Sequence, residues 1–122
     1  MVNNYIEIVS QTIPPTKRDF YADRGSDFSV TIRLKDGAGD ARDISGKSFR
    51  GQFRKHYYSS NTANLTITVS NTELAEIIVG LNAAASSNVS DGRYLYDVEM
   101  YTGNTVSRVL QGTLTITPDV TR

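Results

Sequence analysis

His56 is the only histidine in the sequence, and no cysteine accompanies it. A zinc site needs several nitrogen or sulfur ligands, and a catalytic histidine needs a positioned nucleophile or acid. His56 follows Arg54-Lys55 and precedes Tyr57-Tyr58, the setting of an exposed residue at a strand end, and meets neither requirement. Asp36, Asp40 and Asp43 cluster around Gly37 and Gly39. Calcium takes about six to eight oxygen ligands, but the spacing departs from an EF-hand loop and its terminal carboxylate is missing. Aspartates bonding their own turn explain the cluster more simply. Asp97 and Glu99 stand two apart on one strand and so share a face. Glycosidases place paired carboxylates across a cleft. Here the pair falls opposite the apolar set Tyr94, Tyr96, Val98 and Met100, so a solvated face is expected, with Arg108 or Arg50 as cross-strand partners. No G-x-S-x-G, P-loop or G-x-G-x-x-G is present. The residues therefore predict no catalytic, metal-binding or cofactor-binding site, and a protein that is not an enzyme.

Contact chemistry is the remaining option. Tyr57-Tyr58 lies in a polar stretch, where exposed rings suit a partner interface; rings capping the end of a core are the competing explanation. Tyr5, Ile6 and Ile8 belong to a short apolar strand that stops before Pro14-Pro15, residues unable to donate to a central ladder. Such a strand can complete a neighbour's sheet by β-augmentation. Pairing within its own domain is the favoured expectation, because edge strands usually find internal protection. Tyr5, Ile6, Ile8, Tyr57 and Tyr58 are the candidate partner contacts.

Charge and composition narrow the partners. Lys plus Arg equals Asp plus Glu, 13 each among 122 residues. A neutral chain without long like-charge blocks lacks the field that draws nucleic acid or an anionic membrane. No apolar run approaches the roughly 20 residues that span a bilayer. The first residues lack the basic start and apolar stretch of a signal peptide, so synthesis in the cytoplasm is expected, and the N-x-S/T triplets at Asn64 and Asn88 read as chance. With no cysteine, one core must suffice without disulfides, which a chain of this size can build.

The elements that would position these residues read as strands. Phe28, Val30, Ile32 and Leu34 recur at every second position, the pattern of a strand with one buried face. Phe49, Gly51 and Phe53 oppose Arg50, Gln52 and Arg54 in the same way. Leu65, Ile67 and Val69 form another such run, and residues 75–81 are a more continuous apolar run, as in a central strand. Residues 82–88 are the only plausible helix, about two turns at most. Tyr94, Tyr96, Val98 and Met100 share one face after the Asp91-Gly92 turn. Leu110, Gly112, Leu114 and Ile116 share another after Gly103-Asn104. Asp91-Gly92-Arg93-Tyr94 has the form of a tyrosine corner, in which the phenol bonds back to the preceding turn. About eight strands with one short helix predict an all-β antiparallel β-sandwich, with residues 1–18 as an N-terminal strand, arm and Pro-Pro linker and residues 19–122 as the sandwich.

Gly25-Ser26-Asp27-Phe28, Asp43-Ile44-Ser45-Gly46, Phe49-Arg50-Gly51-Gln52-Phe53-Arg54, Gly92-Arg93-Tyr94-Leu95-Tyr96-Asp97-Val98 and Arg108-Val109-Leu110-Gln111-Gly112 follow in an order that resembles the small β-sandwich domains of tailed-bacteriophage virions. The chain is similar to the N-terminal domain of phage baseplate upper proteins over residues 20–121. The resemblance implies an immunoglobulin-like sandwich, a virion location, and a structural role on the tail or baseplate through other virion proteins, in several copies or as a homo-oligomer. A chain ending at Arg122 without a following receptor-binding region suits a stand-alone part, a tail accessory or a capsid decoration protein. A carbohydrate-binding module is the alternative of another class; the absence of tryptophan counts against it.

Overall fold

The structure, a computed structural model, describes residues 5–9, 16–55 and 63–118. His56, Tyr57, Tyr58 and the Pro14-Pro15 break lie outside the described residues. Among the described residues, eight strands and one helical turn follow in order: β1 (Tyr5–Val9), β2 (Phe20–Asp23), β3 (Phe28–Lys35), β4 (Ser48–Arg54), β5 (Ala63–Asn71), β6 (Glu76–Leu81), α1 (Ala83–Ser87), β7 (Gly92–Thr102) and β8 (Thr105–Thr117). The all-β class holds. The expected two-turn helix is a five-residue turn, capped by the Asn82 side chain, which accepts from the Ala85 amide at 2.8 Å.

The strands form one curled sheet in the order β1-β3-β6-β5-β4-β7-β8-β2, where a two-sheet sandwich was expected. The reason is β5. Its first residues pair with β4, Leu65 opposite Gly51, and from Thr66 onward it pairs with β6. One strand thus carries the ladder from one half of the sheet to the other. The expected all-antiparallel pairing also fails at both edges, where β1 lies parallel to β3 and β2 parallel to β8. Tight hairpins make antiparallel neighbours only. Here β2, which follows β1, runs to the opposite edge, and β3 returns to pair alongside β1.

Curling brings the two ends together. Phe20 of β2 meets Phe28 of β3 with ring centroids 6.0 Å apart, and Tyr96 of β7 at 5.5 Å. The Thr16 hydroxyl donates to the Val9 carbonyl at 2.9 Å. The enclosed core contains Ile32, Leu34, Phe53, Ile77, Val98 and Leu114, all fully buried, on the alternating positions that the sequence predicts. Gly51 sits where a Cβ would press on Ile67 Cδ1 at 3.1 Å and Leu65 Cβ at 3.2 Å. The tyrosine corner is present: the Tyr94 hydroxyl donates to the Ser90 carbonyl at 2.6 Å.

The long β7–β8 hairpin departs from simple alternation once. Val98 opposes Leu110 but Glu99 opposes Arg108, so Val109 is an extra residue. Val109 and Leu110 are consecutive and both buried, as at a β-bulge, which bends and twists its strand.

Candidate interaction surface

The outer face of β4, β7 and β8 carries an ordered array. Cross-strand register sets Arg50–Glu99–Arg108 in one row, Gln52–Asp97–Gln111 in the next and Arg54–Leu95–Thr113 in a third. Period two puts all of these on the side away from the core. Arg50 Nε lies 2.7 Å from Glu99 Oε1, and Arg108 Nε lies 3.5 Å from Asp97 Oδ2. These are the cross-strand pairs expected from the sequence. Arg108 Nη1 also donates to Gln111 Oε1 at 3.5 Å, and Arg54 Nη2 to Gln52 Oε1 at 3.3 Å. Asp97 occupies the centre of the array. Burial pushes its carboxyl above the ordinary aspartate range, and Arg108 pulls the other way. The bond from Arg50 to Glu99 raises the guanidinium further above its usual value.

Residues 16–19 wall this face along β8. Lys17 bridges to Gln111 in parallel, with the Gln111 amide donating to the Thr16 carbonyl at 3.1 Å and the Arg18 amide to the Gln111 carbonyl at 2.9 Å. A regular parallel ladder would next take the Thr113 amide to the Arg18 carbonyl. Instead the Tyr96 hydroxyl donates to that carbonyl at 2.5 Å, and Asp19 Oδ1 accepts from the Thr113 amide at 3.0 Å. That amide bond, before any nearby cation, holds the Asp19 carboxyl below its usual value. The crossing requires glycine at 112, where a Cβ would run into the Arg18 carbonyl. The face and this wall enclose a hollow of about 570 Å³, lined by Lys17, Gln52, Arg54, Asp97, Arg108 and Gln111 among others.

The contact candidates separate. Ile8 is 2 % exposed and faces the core, and Ile6 packs against it. Tyr5 lies beneath the Arg33 guanidinium, 3.7 Å from its ring centroid. Asp36 Oδ1 accepts from the amides of Ala38 and Asp40, and Asp43 Oδ1 from the amide and hydroxyl of Ser45. Both carboxylates are engaged in turns. No set of three or more His, Asp or Glu side chains that could hold a metal occurs among the described residues, and no helix there is long and apolar enough to cross a membrane. Two features went unread. Tyr21, on the edge strand β2, is 70 % exposed, the most exposed of the large hydrophobic side chains among the described residues; alternation with Phe20 and Ala22 is its signal. Lys17 joins the hollow through a parallel pairing that leaves no local sequence mark.

No protein-family model matches the sequence, and no curated protein matches it. Solved structures do. InlP of Listeria monocytogenes aligns at 17% identity and TM-score 0.49, over 84% of this chain and 28% of that one. The Lin-41 filamin domain aligns at 15% identity and TM-score 0.45, over 80% and 82%. Both likenesses are weak. The N-terminal domain of ORF48 of phage TP901-1 aligns at 6% identity and TM-score 0.62, over 93% of this chain and 96% of that one. The likeness to a phage N-terminal domain that the sequence motifs imply is thus present in the fold itself, over nearly all of both chains.

Proposed function

We propose that the domain is a non-enzymatic structural part of a bacteriophage particle, a tail or baseplate accessory or attachment module that binds other virion proteins in several copies. One observation carries this reading: the match to the ORF48 N-terminal domain of phage TP901-1 spans nearly all of both chains, so a whole domain is shared rather than a strand pair. Three of the motifs that resemble baseplate upper proteins lie within β4, β7 and β8, and the other two lie at the turn before β3 and in the loop before β4. Engagement of Asp36, Asp43, Asp97 and Glu99 in turn bonds and cross-strand pairs supports the non-enzymatic part. Tyr21 exposed on an edge strand supports the contact role, since tyrosine is enriched at interface hot spots.

Cross-linking mass spectrometry on purified particles tests the proposal, with Lys17, Lys35 and Lys47 as reactive sites. Cross-links to tail or baseplate proteins, at several copies per particle, are the expected result. Cross-links confined to the major capsid protein would move the domain to capsid decoration. Absence from washed particles would refute the structural role.

A further inference from the structure

The hollow over Asp97 has a polar chemistry of its own. Its volume, about 570 Å³, falls in the range of about 300–1,000 Å³ typical of small-ligand sites. Its lining is polar. Protein interfaces centre on apolar and aromatic side chains, whereas Leu95 is the one aliphatic side chain among the described residues that line it, and the Tyr96 ring is buried beneath. Gln52 and Gln111 flank Asp97 in one row, and each amide both donates and accepts. Carboxylates of Asp97 and Glu99 accept, and guanidinium groups of Arg54 and Arg108 donate in planar forks suited to carboxylate or phosphate. Alternating donors and acceptors of this kind match the hydroxyls of a sugar ring.

The charge is not balanced. Lys17 and Arg108 line the hollow together with Asp97 and Glu99, and Glu99 is already engaged by Arg50 at 2.7 Å. Arg108 is held loosely by comparison, since its contacts to Asp97 and Gln111 both stand at 3.5 Å. An acid group in the hollow would compete with Asp97 and Gln111 for its guanidinium.

From this geometry we infer that the hollow over Asp97 binds an acidic saccharide, a short run of sugar rings bearing carboxylate or phosphate. The acid group sits between Lys17 and Arg108, and ring hydroxyls bond Gln52, Gln111 and Asp97. Recognition proceeds by charge and hydrogen bonding rather than by stacking, so the lack of tryptophan does not oppose it. The inference is independent of residence in a virion.

Amide NMR titration of the full chain tests it, with trigalacturonate and glucose 6-phosphate as acidic probes and maltotriose and hexaglutamate as controls. The expected result is a saturable shift of the Lys17, Asp97, Arg108 and Gln111 amides by at least one acidic sugar, with maltotriose at least about tenfold weaker. Lys17→Ala, an exposed position, weakens binding about fivefold to tenfold with unchanged thermal stability, in line with loss of one charge-assisted contact at a partly solvated site; Arg108→Ala weakens binding by a similar factor and lowers thermal stability as well, since it also removes the partner of Asp97. Salt weakens it further. No shift with either acidic sugar overturns the inference, as does binding indifferent to Lys17→Ala. Equal binding of hexaglutamate overturns it in favour of an acidic protein segment.

Discussion

Tyr96→Phe isolates one of the bonds that hold the amino-terminal crossing in place, the one from β7 to the Arg18 carbonyl. Tyr96 is 4 % exposed, and its ring lies 5.5 Å from Phe20. Phenylalanine keeps that packing and removes only the hydroxyl. The Arg18 carbonyl then loses its donor, because the Thr113 amide that would serve it is given to Asp19. The bond it loses is part-buried, and leaving a protein acceptor without its donor there costs about 1–3 kcal/mol. For a domain of this size about 1 kcal/mol corresponds to about 4 °C, so the melting temperature should fall by about 4–12 °C. The chain has no tryptophan, so far-ultraviolet circular dichroism or calorimetry is the assay, with urea titration for the free energy. The Arg18 carbonyl has one escape: it can turn outward and take the Thr113 amide, releasing Asp19. A cycle with Asp19→Ala detects this, because Asp19→Ala would then cost less in the Tyr96→Phe background than in the wild type. A loss below about 0.5 kcal/mol with fully additive variants would refute the reasoning.

Gly112→Ala should destabilise by about 1–3 kcal/mol through overpacking against the Arg18 carbonyl; faster tryptic cleavage after Lys17 and Arg18 would mark the displaced segment. Tyr94→Phe removes the corner bond to Ser90 and should cost about 0.5–1.5 kcal/mol by urea titration. Arg33 and then Ser70 hold the Glu76 carboxyl below its ordinary range. A lowered folded-state pKa adds stability that is present above the unfolded value and lost as pH falls through the folded one. The gap in urea midpoint between wild type and Glu76→Gln should therefore be present at about pH 7 and vanish by about pH 2. Asp97 has the opposite sign: its carboxyl is raised by burial, so ionisation penalises the folded state at neutral pH. Asp97→Asn should gain stability relative to wild type at about pH 7, and the gain should disappear below the unfolded-state pKa, as equilibrium denaturation at the two pH values would read.

What the residues revealed in advance follows from what is local. Period two on β3 and β7 marks Ile32, Leu34, Tyr94, Tyr96 and Val98 as core, since side-chain direction alternates whatever the strand pairs with. The tyrosine corner spans only the five residues 90–94 and reads equally well. Asp97 and Glu99 found Arg108 and Arg50 because β7 and β8 form a hairpin and β4 is β7's other neighbour. The parallel edges were invisible, because nothing in Phe20–Asp23 records that its partner is the last strand. The split pairing of β5 and the extra residue Val109 were hidden for a similar reason: each depends on a register that alternation alone does not set. Lys17 entered the hollow only through such a long-range pairing, so the candidate site was half legible.

The parallel docking of β2 on β8 also imposes an order on synthesis. Asp19 and its partner Thr113 stand 94 residues apart, and ribosomes add about 5–20 residues per second. The crossing segment therefore waits about 5–20 s after its own emergence before its partner strand exists. During that interval Phe20 and Tyr21 have no strand to pair with. Fusing a slowly translated stretch just ahead of β8 would lengthen this exposed period and, with it, the time open to chaperone capture or misassembly.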